Sequence, residues 1–256
     1  TVLAAFPNPR VATETVSEII ASGIVPAAME FMDGTILEAV EAAFHVGLPL
    51  DAGALLLVEC DSLHNAGQAD NEIETVVRIC RSNKAIEIRT AKTEDERAKL
   101  WLARKKGIGA IGRLSPSMVT HDGVIPRSKL PEVLDFVYRT VSDEGLRVAN
   151  IFHAGDGNLH PIILFDDRDS RQVAKVVEAG EKIMRLCIEL GGSVTGEHGI
   201  GVEKIDLLGE MFSEADLRLQ EDIRRSINPG DLCNPGKVLP TQKSCVEVKL
   251  RRRVAT

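Results

Sequence analysis

The chain has 256 residues, 44% of them hydrophobic and 27% charged, enough for one large domain or two modest ones of ordinary globular composition. Its formal net charge of −7 argues against a general nucleic-acid binder, which needs a basic face to neutralise phosphates. Aromatic residues are only 4%, so the core has to be built from Val, Ile, Leu and Ala.

Apolar runs with strand character alternate with helix-period segments. Residues 1–6 read as a strand entered without a preceding Met, so the chain is expected to be part of something larger. There follow a helix at 11–22, a strand at 26–32, a helix at 36–44, a strand at 54–60, a helix at 71–82 and a strand at 84–89. Thr93 before Glu94, Asp95 and Glu96 is a capping-box start for a helix at 94–111. A strand at 118–125, a helix at 129–144 and strands at 147–153 and 159–165 come next. A long helix at 171–190 is closed by Gly191-Gly192, and a last helix covers 214–226.

No strand is followed by a G-x-G-x-x-G that opens a helix, which removes the main support for a parallel dinucleotide-binding sheet. The expected class is α+β: an antiparallel sheet with helices mainly on one face. Residues 1–240 form one domain in this reading. Residues 241–256, with Leu250-Arg251-Arg252-Arg253 and no turn or cap signal, form a solvated tail. The five cysteines, Cys60, Cys80, Cys187, Cys233 and Cys245, make no C-x-x-C pair and suit a reducing compartment. No apolar stretch approaches the ~20 residues of a membrane span, and no signal peptide opens the chain.

The chemistry concentrates at Phe152-His153-Ala154-Gly155-Asp156-Gly157-Asn158-Leu159-His160. Asp156-Gly157 between two β-rich runs predicts a two-residue hairpin. That register sets His153 opposite His160, with both imidazoles on one face and able to converge on a metal. A second unusual segment, Gly196-Glu197-His198-Gly199, offers a carboxylate beside an imidazole. Glu197 would complete a His/His/Glu set with open positions, as a catalytic rather than structural metal requires. His198 would then stand beside the metal, able to move protons.

At these residues the chain resembles the C-terminal domain of FAD-linked oxidases of the vanillyl-alcohol-oxidase type, nearest to flavin subunits of glycolate oxidases, with D-lactate and D-2-hydroxyglutarate dehydrogenases as relatives. The resemblance is carried by Leu100-Trp101-Leu102-Ala103-Arg104-Lys105, by Asp122-Gly123-Val124-Ile125-Pro126-Arg127, by 147–161, by 196–201 and by Asn234-Pro235-Gly236-Lys237. It implies a ferredoxin-like α+β substrate domain with a helical C-terminal part, whose FAD is held mostly by an N-terminal domain absent from these residues. It implies that His153, His160 and Glu197 bind a divalent metal, Zn or Mn, that Arg104 grips the substrate carboxylate, and that Asn158 and His198 face the substrate. Asn234 would approach the flavin.

The activity so implied is oxidation of a small 2-hydroxy acid, glycolate to glyoxylate, with hydride passing to FAD; a D-lactate dehydrogenase-type enzyme is the neighbouring alternative. Relatives acting on larger acids carry a threonine and a lysine where this chain has Ile108 and Thr120, which favours a substrate with one carboxylate. Partner subunits, an iron–sulfur subunit among them, and a cytoplasmic location with peripheral attachment to the inner membrane are further implications. Two other classes stay open on the residues alone: a flavin-independent metallohydrolase using the same His/His/Glu set, and a docking module with no catalytic role.

Overall fold

The computed structural model describes residues 1–62 and 66–240; the expected tail and Cys245 lie outside them. Strand β1 (Val2–Phe6) is buried on both faces, which explains its unbroken apolar run. Asn8 then caps α1 (Pro9–Ala21), with Pro at the start of the helix, where a missing N–H costs nothing. Strand β2 (Ala28–Asp33) runs into α2 (Gly34–Phe44), and Asp33 both ends the strand and caps the helix. Strand β3 (Ala54–Glu59), α3 (Ala66–Ser82) and β4 (Glu87–Thr90) complete the first half.

The capping box at Thr93 opens α4 (Glu94–Ile111) as expected. Strands β5 (Ser117–Thr120) and β6 (Gly123–Val124) precede α5 (Leu130–Asp143), β7 (Arg147–His153), β8 (Asn158–Leu159) and β9 (Pro161–Phe165). Helices α6 (Ser170–Glu189), the short α7 (Leu208–Met211) and α8 (Glu214–Ile227) follow.

Among the described residues all strand pairs are antiparallel. The order is β4-β1-β3-β2-β7-β8-β6, with β9 pairing β5 and β7. The first four strands, in order 4-1-3-2 with α1 and α3 as crossovers, make a ferredoxin-like unit. The second half repeats the plan: β5–β6, α5, β7, β8–β9, α6, and a last edge where Ser193 bridges Val124. The two units join through β2 and β7.

Helices α1, α3, α5 and α6 bury their apolar sides against one face of this sheet. The expectation placed helices mainly there; α2 and α4 also cover the other face, against Leu3, Ala5, Leu55, Leu57 and Ile151. Those strands are apolar at successive positions, so both faces need cover. Among the described residues, no helix is long and apolar enough to cross a membrane.

Local departures from the expected elements have local causes. The strand expected from residue 84 starts at Glu87, because Lys84 takes φ +61, which a strand cannot accommodate. Helix α3 starts before the expected residue 71, at Ala66, because its first turns are polar and carry no apolar period. The strands expected at 118–125 and 159–165 are each interrupted, at His121-Asp122 and at His160. Both interruptions belong to the site.

Candidate active and metal site

The hairpin register differs from the expected one. His153 pairs with Asn158, not His160, and the turn holds the four residues 154–157. The longer turn satisfies its own backbone: Gly155 N–H donates to Met29 O at 3.1 Å, and Gly157 O accepts from Ile125 N–H at 3.0 Å. Gly157 sits at φ +71, and a Cβ there would collide with Ile125 O. A slip of two positions leaves every side chain on its original face, because the strand period is two. His153 and His160 therefore still share a face, as diagonal neighbours, with ring centroids 5.4 Å apart and nearly perpendicular.

Across the seam between the two units, Glu30 of β2 lies directly opposite His153. Its Oε1 is 2.7 Å from His153 Nδ1, and its Oε2 accepts from Arg104 Nε at 2.7 Å. Burial raises the Glu30 carboxyl, but the bond from His153 and the Arg104 charge outweigh it and hold the group below its ordinary value. The same Glu30 bond raises His153 against the opposing effect of burial. Arg104 is thus tucked into the site; its side chain is only 18% exposed.

Asp122, wholly buried, organises the second segment. Its carboxylate accepts from Thr195 Oγ1 at 2.6 Å and from the N–H groups of Gly196 and His198 at 2.9 Å and of Glu197 at 3.2 Å. Two acceptors, Asp122 Oδ1 at 2.8 Å and Gly123 O at 3.2 Å, face one end of the Asn158 amide, which assigns that end as the donating nitrogen. Lys204 Nζ donates to Asp122 O at 2.8 Å and lies 3.7 Å from the carboxylate. Burial alone would push the Asp122 carboxyl up; the donors from Thr195, His198 and Gly196 and the Lys204 charge override it and hold it well below the carboxylate range. A Cβ on Gly196 would come within 2.5 Å of Asn158 Cγ, so only glycine lets the 195–198 segment close on Asn158.

Held this way, Glu197 projects between the histidines. Its Oε1 is 3.2 Å from His160 Nε2, 3.5 Å from His153 Nε2 and 3.7 Å from His198 Nε2. One ligand atom from each of His153, His160 and Glu197 lies within 4.8 Å of the others. His198 stacks on His160 at 4.9 Å, 15° from parallel. Burial, and then the neighbouring His198, lower His160 and favour the neutral ring that ligates metals. Asn234 takes no part in the contacts just described and sits in a loop that Arg224 ties through the carbonyls of Cys233, Asn234 and Lys237. That loop meets the 196–201 segment where Val238 N–H donates to Gly201 O at 2.8 Å.

Residues 1–238 match the family described as FAD linked oxidases, C-terminal domain. The chain belongs to the FAD-linked oxidase family. It is 42% identical over 245 residues to glycolate oxidase subunit GlcD of Escherichia coli (strain K12), covering 96% of this chain and 49% of that protein. It is 26% identical over 245 residues to the probable mitochondrial D-lactate dehydrogenase of Danio rerio, covering 94% of this chain and 48% of the relative. The chain thus spans about half the length of the curated relatives it matches. Substrate-bound p-cresol methylhydroxylase shares the fold at 13% identity with a TM-score of 0.65, over 93% of this chain and 52% of that one.

Within this FAD-linked oxidase domain, the geometry brings together six of the seven residues singled out from sequence. It adds Glu30, Thr195 and Lys204, and it gives Asp122, quoted above only within a motif, a defined place. A signal for Glu30 does exist. Ala28-Met29-Glu30-Phe31-Met32-Asp33 is a short buried strand carrying two acids, and buried acids need partners. For Lys204 and Thr195 no such signal stands out, because their partner lies more than seventy residues away.

Proposed function

We propose that this chain is the substrate- and metal-binding half of an FAD-dependent 2-hydroxy-acid oxidoreductase, with glycolate as substrate and glyoxylate as product. The observation that carries it is the convergence of His153, His160 and Glu197 beside His198 and an Arg104 held in place by Glu30. The donor set fits a divalent metal. Two imidazole nitrogens at 3.2 and 3.5 Å from a carboxylate oxygen approach the ligand separation of about 3.3 Å around a tetrahedral ion with 2.0–2.1 Å bonds. The carboxylate on His153 Nδ1 is the outer partner that metal-bound histidines usually have.

Bound cofactors would supply hydride acceptance by FAD and polarisation of the α-hydroxyl by Zn or Mn on His153, His160 and Glu197. Arg104 grips the substrate carboxylate with the guanidinium nitrogens that Glu30 leaves unused, its planar fork suiting a bidentate contact. His198 receives the hydroxyl proton as the α-hydrogen leaves as hydride. Asn158, with its amide nitrogen committed to Asp122 and Gly123, offers its remaining oxygen toward the substrate. Asn234 serves the flavin side.

Ile108, one helical turn beyond Arg104 on α4, and Thr120, the last residue of β5, stand where relatives acting on larger acids carry a threonine and a lysine, and the missing lysine favours a monocarboxylate. Assembly with further subunits, an iron–sulfur subunit included, and peripheral attachment to the inner membrane from the cytoplasm belong to the same proposal. The word subunit in the name of the GlcD relative supports the assembly with further subunits.

The test is dye reduction by the protein joined to its flavin-binding half, with glycolate, D-lactate and D-2-hydroxyglutarate. Glycolate should give the highest kcat/KM. Preference for D-lactate would reassign the substrate, and turnover without flavin would support a hydrolase. Equal, metal-independent rates for wild type and His153→Ala would remove the mechanism.

A further inference from the structure

We propose that Glu30 is the positioning residue that couples metal ligand to substrate grip, holding His153 and Arg104 with the two oxygens of one carboxylate. The inference rests on the reading of the site given above. Glu30 is 5% exposed on a central strand that it shares with four apolar side chains and the buried Asp33. A buried carboxylate there is costly unless both oxygens are paired. Both partners, each at 2.7 Å, belong to the site rather than to the scaffold.

The β2–β7 register supplies the precision. Glu30 and His153 are directly opposed residues, so backbone hydrogen bonds of the sheet seam fix the spacing of their Cα atoms. Accepting from Nδ1–H selects the tautomer whose bare Nε2 points at Glu197, 3.5 Å away. On the other side, Glu30 engages only Arg104 Nε and leaves the two terminal nitrogens as a fork for an anion. The α4 helix that carries Arg104 packs on the same seam, with Gly107 set against Ile151 of β7. Metal position and carboxylate grip are thereby referred to a single side chain.

Glu30→Gln tests this with little change of volume. A glutamine presents one acceptor and one donor, so either His153 Nδ1–H or Arg104 Nε–H then faces another N–H. Zn affinity of the purified chain, by chelator competition, should weaken roughly 10- to 100-fold, as for lost outer-shell carboxylates. In the flavin-loaded full-length protein, KM for glycolate should rise roughly 10-fold or more through the lost charged hydrogen bond, beyond any fall in kcat. A purely structural glutamate would lower the melting temperature and leave the metal affinity and KM of the folded fraction unchanged.

Unchanged Zn affinity in Glu30→Gln, with affinity lost in His153→Ala, overturns this inference and leaves the reading of the site standing. Absence of Zn binding by wild type overturns both. Should Glu30→Gln fail to fold, nitrogen-15 spectra of the Zn-loaded wild type decide. A protonated His153 Nδ1 with coordinated Nε2 is expected, and coordination through Nδ1 refutes the coupling.

Discussion

Asp122→Ala removes one buried carboxylate and leaves at least five donors without their acceptor: Thr195 Oγ1, the N–H groups of Gly196, Glu197 and His198, and the Asn158 amide. It also strips the nearby charge from Lys204, itself 8% exposed. Each bond to a charged group is worth about 1.5–3 kcal/mol in isolation, but the donors share one acceptor and cannot be summed. Removing one member of a buried ionic cluster costs about 3–5 kcal/mol, and that is the expected loss. Urea unfolding followed by the single tryptophan, Trp101, measures it. Hydrogen exchange at the amides of 196–198 should accelerate in parallel, and Asp122→Asn should fall between the two proteins. The folded carboxyl lies below its ordinary value, so its stabilisation is present above the unfolded pKa of about 3.9 and is lost as pH falls below it. The two unfolding curves should therefore converge under acid. A loss under about 1 kcal/mol, where ordinary surface substitutions fall, with unchanged exchange at 196–198, would refute this account of how the segment is held.

Three other outcomes follow from the geometry. Gly196→Ala drives a Cβ to 2.5 Å from Asn158 Cγ and should cost about 1–3 kcal/mol by overpacking; in thermal melts, Asn158→Ala in the same chain should recover part of that. His121 is buried against Gly180, its Nε2 has no partner among the described residues, and burial, then the Lys204 charge, lower it to about 4. Its contribution is complete above the unfolded value near 6.5 and is lost as pH falls toward 4, so wild type should lose about 3 kcal/mol relative to His121→Leu between pH 7 and 4; parallel urea-stability profiles would contradict this. Zn at about 100 times its Kd should stabilise wild type by about 2.7 kcal/mol and leave the melting temperature of His160→Ala unmoved.

What could be read from the sequence divides along a physical line. Local signals held: the capping box at Thr93, Gly191 at φ +79 behind α6, and the buried runs that became β1 and β3. The two histidines were legible because strand periodicity survives an error in the turn. The expected two-residue turn became four, yet a slip of two positions returned His153 and His160 to one face. A slip of one would have separated them. The breaks at Asp122 and His160 were not legible, because each strand leaves its ladder there to meet a partner distant in sequence. Asp122 turns to amides 74–76 residues away, and no windowed pattern carries that information.

The same distinction explains where the site lies. Neither ferredoxin-like unit contains it alone. The first contributes Glu30 from β2; the second contributes His153, His160, Asp122 and the 195–198 segment; Arg104 comes from α4, the helix that joins them. The seam where β2 meets β7 brings the second strand of each unit side by side. The Glu30–His153 hydrogen bond spans that seam next to Phe31 and Phe152, stacked at 4.7 Å one position further along both strands. An error in β2–β7 register by one residue would bury Phe31 where Glu30 now meets His153 and turn Glu30 into the apolar cluster around Phe31. The chemistry of the site and the pairing of the two units therefore depend on the same few side chains. Weakening the seam should loosen the His153–Arg104 geometry before it unfolds either unit.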